Sequence, residues 1–435
     1  MRVVKTIPPF KLYSETEHTL IAGLPGQGKD MFGEGYITKY MHLGYKVFDI
    51  NSESRGEGMY YNIRQTDSGF VYKINFLTNG ALKPQQYADE IIMFLGHHLE
   101  KIKVLPSNIK LCVFNEVWLD NEDLKKFLAF NDSQIQLMEA IFEMHGDAKL
   151  TLSYLYRFLS KAASNKMTKE AKALKESGVH YASVNTIKRR ARGLLRSGLF
   201  YNKEIVGQPQ VEKEQKFYHY LDLEKSLENV ERITTFSTYL IEDPYIRFVC
   251  ISILLKKFIE IIETRQSKVP VLVYIREAND FFYQEHPEPY VVDIRNNIDK
   301  ILRKGRFIGG SKITVVMNTQ LLTDLPRSTF DNFIKFVCFK LPTTDSKLLL
   351  RKADIHEVYL RKLAGCDVGI GMIVSSGAFQ YPILFIPTLH KKSNPDFDVF
   401  RYLSGIYNSI NYSKSYFLEI GLQLNEEAAK FKVDG

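Results

Sequence analysis

The sequence predicts an α/β chain with a mainly parallel sheet, interrupted in its middle by a basic helical block. Three observations predict it. Short apolar runs alternate with helical periods toward both ends of the chain, the pattern of strands joined by crossover helices. The first of these runs, residues 18–22, passes straight into a Gly-rich turn and then a helical stretch. Positive charge is concentrated in one segment: residues 151–203 hold 12 Lys and Arg against two Glu, a balance of +10 in a chain whose total is +8.

In order, residues 18–22 read as a strand, 31–43 as a helix, and 44–50 as a buried strand ending in Asp49. Residues 70–77 read as a further strand and 85–103 as a helix by period. LCVF at 111–114 is a short apolar run followed by Asn115 and Glu116. From 121 to 199 the pattern is helical and polar. Residues 232–238 return to strand and 245–264 to an amphipathic helix. VPVLVYI at 269–275 is apolar throughout, as in a strand buried on both faces. A helix over 291–304, strands over 312–320, 333–341 and 367–375, and a helix over 354–363 complete the pattern. The organisation implied is a half-core over 1–120, a basic helical insertion over 121–225, a second half-core over 226–400 and a helical tail over 401–435.

Composition excludes several classes. The chain is 45% apolar and 25% charged, as in a soluble globular protein. No apolar run approaches the roughly 20 residues of a membrane helix, and the N-terminus has no secretory signal, so a cytoplasmic protein is expected. Cys112, Cys250, Cys338 and Cys366 lie far apart with no C-x-x-C pair. Buried free thiols are expected rather than a zinc ribbon.

The Gly-rich turn is GLPGQGKD, Gly23–Asp30. Glycines there let backbone N–H groups point inward at phosphate oxygens, Lys29 adds a point charge, and the following helix adds its positive end. Gly23, Pro25, Gly26, Gln27, Gly28, Lys29, Asp30 and Met31 are therefore the candidate nucleotide-binding residues. The pattern G-x-x-x-x-G-K-[ST] is complete except at its last position, where Asp30 replaces the hydroxyl that holds magnesium. A strand ending in acids should accompany this loop. Glu277, after the long apolar strand, is the favoured candidate, and Glu116, after LCVF, is the other. In VYIREAND the first acid is replaced by Arg276. Two arrangements remain open. Asp30 and Arg276 pair with each other and close the site without metal, or Asp30 binds magnesium while Arg276 turns toward phosphate. The expectation is that the two side chains lie within salt-bridge reach. Downstream, KITVVMNTQLLTDLP ends a strand in Thr319 and Gln320, a polar sensor at the C-terminal sheet edge where α/β folds bind ligands.

GLPGQGKD, KVFDINSE, YKINFL, VPVLVYIREAND, ILRKGRFIGGSKITVVMNTQLLTDLPRSTFDNF and LRKLAGCDVGIGMIVSSGAFQYPILFIP, in this order, resemble the HerA/FtsK superfamily of DNA-translocating ATPases, most closely its HerA-like branch. The resemblance spans about residues 20–387. It implies a RecA-like P-loop core, ATP and Mg2+ as cofactors, a hexameric ring, and double-stranded DNA drawn through the central channel. It assigns Lys29 to phosphate, Glu277 to water activation, Gln320 to γ-phosphate sensing, and Arg303 or Arg306 to a neighbour's nucleotide. The loop begins near residue 23, which leaves out the N-terminal barrel of cellular HerA proteins and implies a minimal motor of viral or plasmid type. Asp30 and Arg276 depart from the family pattern. They bear on magnesium coordination and turnover, so a nucleotide-binding module with weak hydrolysis is the alternative.

The basic block centres on HYASVNTIKRRARGLLRSGLFYN. Ile187, Ala191, Leu194 and Leu195 form an apolar stripe at helical spacing, and Lys188, Arg189, Arg190 and Arg192 are the candidate DNA contacts. With TLSYLYRFLSKAAS as an earlier helix, the segment also reads as helix-turn-helix-like. Phosphate contact is expected ahead of base reading, and a solvated helical face is the competing reading.

Overall fold

The computed structural model describes residues 17–51, 90–94, 109–146, 148–164, 168–176, 181–200, 218–228, 230, 233–238, 241–264, 269–282, 287–304, 313–375 and 383–385. Its strands are β1 (Thr19–Ala22), β2 (Lys46–Asn51), β3 (Glu90–Met93), β4 (Ile109–Val113), β5 (Tyr218–Tyr220), β6 (Thr234–Ser237), β7 (Val271–Ile275), β8 (Ile313–Thr319), β9 (Lys335–Cys338), β10 (Gly371–Ser375) and β11 (Ile383–Phe385). Its helices are α1 (Lys29–His42), α2 (Asn121–Leu128), α3 (Asp132–His145), α4 (Leu152–Ala162), α5 (Lys169–Glu176), α6 (Tyr181–Arg196), α7 (Leu223–Glu228), α8 (Pro244–Thr264), α9 (Asn279–Phe282), α10 (Pro289–Lys304), α11 (Arg327–Phe330), α12 (Thr343–Ala353) and α13 (Glu357–Ala364).

The strands form one sheet in the order β11-β10-β9-β1-β8-β7-β2-β6-β3-β4-β5. Pairing is parallel from β9 to β5, and only β10 runs antiparallel to its neighbours β9 and β11. This is the α/β, mainly parallel, RecA-like P-loop core expected, with helices α2–α6 inserted between β4 and β5. The strand β8 lies between the strand that feeds the Gly-rich turn and the strand that ends in Glu277.

Side-chain alternation along the strands separates two cores. Ile21, Val47, Leu272, Tyr274, Val316, Val337 and Ile373 face α1, where they meet Phe32, Tyr36, Ile37 and Tyr40. Leu20, Phe48, Ile50, Val273, Ile275, Val315 and Met317 face the other way, into a larger core shared with α8, α10 and the inserted helices. The insertion therefore packs on the core through one continuous apolar cluster rather than projecting from it.

Residues 85–103, expected as a helix, contain the strand β3, hydrogen-bonded between β6 and β4. EIIM is too short for periodicity to separate strand from helix, and the two flanking ladders decide the matter. The short strands β5 and β11 and helix α12 also escaped the pattern. The expected strand at 70–77 and the helical tail at 401–435 lie outside the described residues. No described helix is long and apolar enough to cross a membrane.

Gly33 shows how closely α1 sits on the sheet. A Cβ there would lie 2.1 Å from Tyr274 Oη and 2.7 Å from its Cζ. Gly33→Ala should destabilise the chain by about 1–3 kcal/mol in urea unfolding, as overpacking does. Adding Tyr274→Phe, which removes the nearest atom, should recover part of the loss.

Candidate nucleotide-binding site

The Gly-rich turn leaves β1 at the C-terminal edge of the sheet. Gly26 and Gly28 take the left-handed conformation, with φ of 74° and 95°, and Gly28 caps α1. Only glycine enters this region without strain. At Gly23 the constraint is space, because a Cβ would lie 2.7 Å from Phe339 Cβ. The turn is pinned from outside by two backbone bonds, Leu24 N–H to Lys340 O (2.9 Å) and Gly369 N–H to Gln27 O (3.2 Å). Lys29 opens α1 and is 3% exposed. At a helix N-terminus its ammonium is arranged for an anion.

Strand period explains what surrounds it. Register places Asp49 of β2 opposite Tyr274 of β7, on the face toward α1. Two residues past Tyr274, Arg276 returns to that face, just beyond the end of β7. On β8, Asn318 and Gln320 follow Val316 by the same rule. Of these, Arg276 and Asn318 reach the N-terminal half of α1 directly, at Glu34 and Asp30.

Arg276 is 1% exposed and does not bridge to Asp30. Its Nε and Nη2 donate to Asp49 Oδ1 and Oδ2 at 2.9 and 2.6 Å, and its Nη1 donates to Glu34 Oε1 at 2.9 Å. Burial works against its charge, and the Asp49 charge and hydrogen bonds outweigh this, holding the guanidinium above its usual pKa. The direct Asp30–Arg276 pair expected from the sequence is corrected: α1 supplies Glu34 and β2 supplies Asp49 as the partners of the guanidinium, and Asp30 bears on it as a nearby charge. Asp30 instead accepts from Asn318 Nδ2 at 2.5 Å.

Glu277 is 6% exposed and takes a left-handed φ of 44°, a strained position for a non-glycine residue. Its Oε2 accepts from Gln320 Nε2 at 3.1 Å. The turn after Gln320 is held by Asp345, whose Oδ2 accepts from Leu322 N–H at 2.7 Å. One strand end, β8, therefore holds two carboxylates through two amides: Asn318 on Asp30 and Gln320 on Glu277. Glu116 has a different task. Its carboxylate accepts from Ser153 N–H (2.9 Å) and from the Ser153 hydroxyl, at the start of α4. The strand before it, β4, is six places from β1, roughly 29 Å at about 4.8 Å per strand.

The remaining candidates divide. Arg303 is exposed, 3.9 Å from Asp299. The neighbouring Leu302 O accepts from His18, which precedes β1, so Arg303 lies at the sheet edge opposite its own phosphate loop. Arg306 is outside the described residues. On α6, Arg189 and Arg192 are exposed and Lys188 is half-buried. Arg190 is a correction: it turns inward, donates to Leu128 O (2.9 Å) and Gln134 Oε1 (2.7 Å), and stacks on Phe130 with 3.6 Å to the ring centroid. Its position on the apolar-flanked side of the helix, next to Ala191 and three residues after Ile187, is the signal that separates it from its neighbours. Cys112, Cys250 and Cys338 are buried thiols, whereas Cys366 is partly exposed.

Among the described residues no group of three His, Cys, Asp or Glu side chains is placed to hold a metal. Magnesium bound with a nucleotide commonly takes one or two carboxylates, the remaining positions being phosphate oxygens and water. Asp30, oriented by Asn318 at the start of α1, fits that role.

A parallel sheet with a phosphate loop, a buried lysine and paired acids at its C-terminal edge defines the P-loop NTPase class. The particular fold is one shared with solved P-loop ATPase structures. The chain is similar to VirB4 of Thermoanaerobacter pseudethanolicus, with a TM-score of 0.51 and 13% identity, over 85% of this chain and 88% of that one. Weaker likenesses are to the bacterial conjugative coupling protein TrwB (TM-score 0.47, 10% identity, 88% of this chain and 86% of that one) and to a viral protein. The latter is the genome-packaging NTPase B204 of Sulfolobus turreted icosahedral virus 2 in complex with AMPPCP (TM-score 0.34, 8% identity, 86% and 100%). No family model and no curated protein sequence matches the chain.

If Arg276 is the shared partner of Asp49 and Glu34, Arg276→Met should lower stability by about 3–5 kcal/mol, as when a buried pair loses one member. Asp30→Ala should cost under about 1.5 kcal/mol, the value of one hydrogen bond. Urea unfolding of both variants checks this, and equal losses would mean that Asp30 is a partner after all.

Proposed function

We propose that this chain is an ATPase of the HerA/FtsK type that couples Mg2+-dependent ATP hydrolysis to movement along double-stranded DNA. The observation that carries the reading is the clustering of Lys29, Asp30 and Glu277 at one sheet edge, with both carboxylates held by amides of β8. Lys29 receives the β- and γ-phosphates, and the turn N–H groups cradle them. Bound magnesium would neutralise charge on the β- and γ-phosphate oxygens. Glu277 orients the attacking water and accepts its proton. Gln320, bonded to Glu277 before nucleotide enters, is placed to exchange that bond for one to the γ-phosphate.

The engagement of Arg276 by two carboxylates favours a metal-dependent site over a metal-free one. In the same reading, Lys188, Arg189 and Arg192 contact DNA phosphates. The active form is a hexameric ring, in which Arg303 or Arg306 reaches the neighbour's nucleotide. The setting is cytoplasmic, in a virus or plasmid system, and the inserted block at 121–225 is the DNA-bearing unit.

ATP turnover of the full chain, with and without double-stranded DNA, tests this. Lys29→Ala should weaken ATP binding at least tenfold, about 1.4 kcal/mol. Glu277→Gln should cut turnover at least a hundredfold, the lower range for losing a general base, while leaving ATP binding intact. Absence of turnover in the parent chain would favour the nucleotide-binding module without hydrolysis. Loss of turnover in Glu116→Gln, with Glu277→Gln active, would overturn the site.

A further inference from the structure

Arg190 sits among the basic residues of α6 yet faces the ATPase core, and its contacts lead to the catalytic acid. The guanidinium donates to Leu128 O, at the C-terminus of α2, where a helix end favours a cation. It also donates to Gln134 Oε1, which in turn accepts from Phe130 N–H at 2.9 Å, so one arginine fixes the α2–α3 turn. The Phe130 ring beneath it packs against Tyr290 at the start of α10 (5.8 Å between centroids) and Tyr245 at the start of α8 (6.0 Å). Tyr245 donates back to Phe127 O at 2.7 Å. Tyr290 packs on Phe248 (6.3 Å), and Phe248 on Phe281 (5.6 Å).

Phe281 belongs to the turn that carries Glu277. Asp280 N–H donates to Glu277 O and Phe281 N–H to Ala278 O, both at 3.0 Å, and Ala278 N–H is fixed to Asn318 O at 2.8 Å. Arg295 Nε also donates to Phe281 O at 2.5 Å. Phe281 and Glu277 thus share one hydrogen-bonded turn, so the packing of Phe281 bears on the position of Glu277. Packed aromatic contacts transmit shifts because close-packed interiors compress little.

We propose that Arg190 is the positioning residue through which DNA on the exposed face of α6 sets the Glu277 turn, and that it is not itself a phosphate contact. The inference rests on the proposed DNA-stimulated ATPase. It requires neighbouring arginines of one helix to do different things. Arg189 and Arg192 hold DNA, and Arg190 reports it.

The test measures three quantities in the full chain: turnover without DNA, turnover at saturating DNA, and DNA affinity across a salt series. Arg190→Ala should keep DNA-free turnover within about twofold and keep the salt slope, but lose at least fivefold in stimulation at saturating DNA. Phe130→Leu, which retains an apolar side chain but removes the ring, should behave alike. Arg189→Ala with Arg192→Ala should lower the salt slope by about 0.9 for each phosphate no longer neutralised, while retaining stimulation once DNA is saturating. Full stimulation in Arg190→Ala and Phe130→Leu would overturn the proposal. So would a reduced salt slope in Arg190→Ala, which would make it a phosphate contact. A parent chain that turns over ATP but is unmoved by DNA would overturn the DNA-stimulated reading as well, and is seen before any variant is made.

Discussion

One guanidinium organises the site. Arg276 leaves the end of β7 into a fully buried space, and it can stay charged there only because β2 and α1 each bring a carboxylate to it. Asp49 takes two of its donors side by side, and Glu34 takes a third. Lysine could not do this, since its point charge lacks the planar fork. The arrangement clamps α1 to two strands at the level of its second turn. The first turn of that helix carries Lys29 and Asp30, so the phosphate loop inherits its orientation from a buried ion cluster.

The clamp also settles charge. With three donors committed to two carboxylates, Arg276 has little positive potential left to offer a phosphate. The positive groups available to a nucleotide are then Lys29, the N–H groups of the turn and whatever cation Asp30 brings. Strand β8 manages the negative groups. Asn318 and Gln320 stand two residues apart, on one face, and each holds one acid in place. A single strand end thereby sets the spacing between the Asp30 and Glu277 carboxylates.

Much of this was legible in the sequence. The loop, the strand that runs into Glu277 and the strand end that carries Gln320 follow from local pattern, because each depends on residues within one strand–turn unit. The partner of Arg276 was not legible. Asp49 stands 227 positions away, and its place opposite Tyr274 is set by parallel register, which no local pattern encodes. A clue was present nonetheless: an arginine closing a purely apolar strand requires a carboxylate on a neighbouring strand, and KVFDIN offers one. Glu34 could have been found from its position, one helical turn beyond Asp30 on α1. Arg190 was misread because a run of cationic residues conceals that a helix turns 100° per residue, so adjacent charges face different surroundings.

With Arg276 engaged by Asp49 and Glu34, the proposed ATP site needs a metal ion to neutralise the phosphates. The most direct measurement is ATP affinity of the parent chain with Mg2+ and with the metal chelated. Affinity should be at least tenfold weaker without metal, about 1.4 kcal/mol, with a smaller difference in Asp30→Ala. Equal affinity with and without Mg2+ would contradict it, and would mean that a protein cation serves the phosphates in place of the ion.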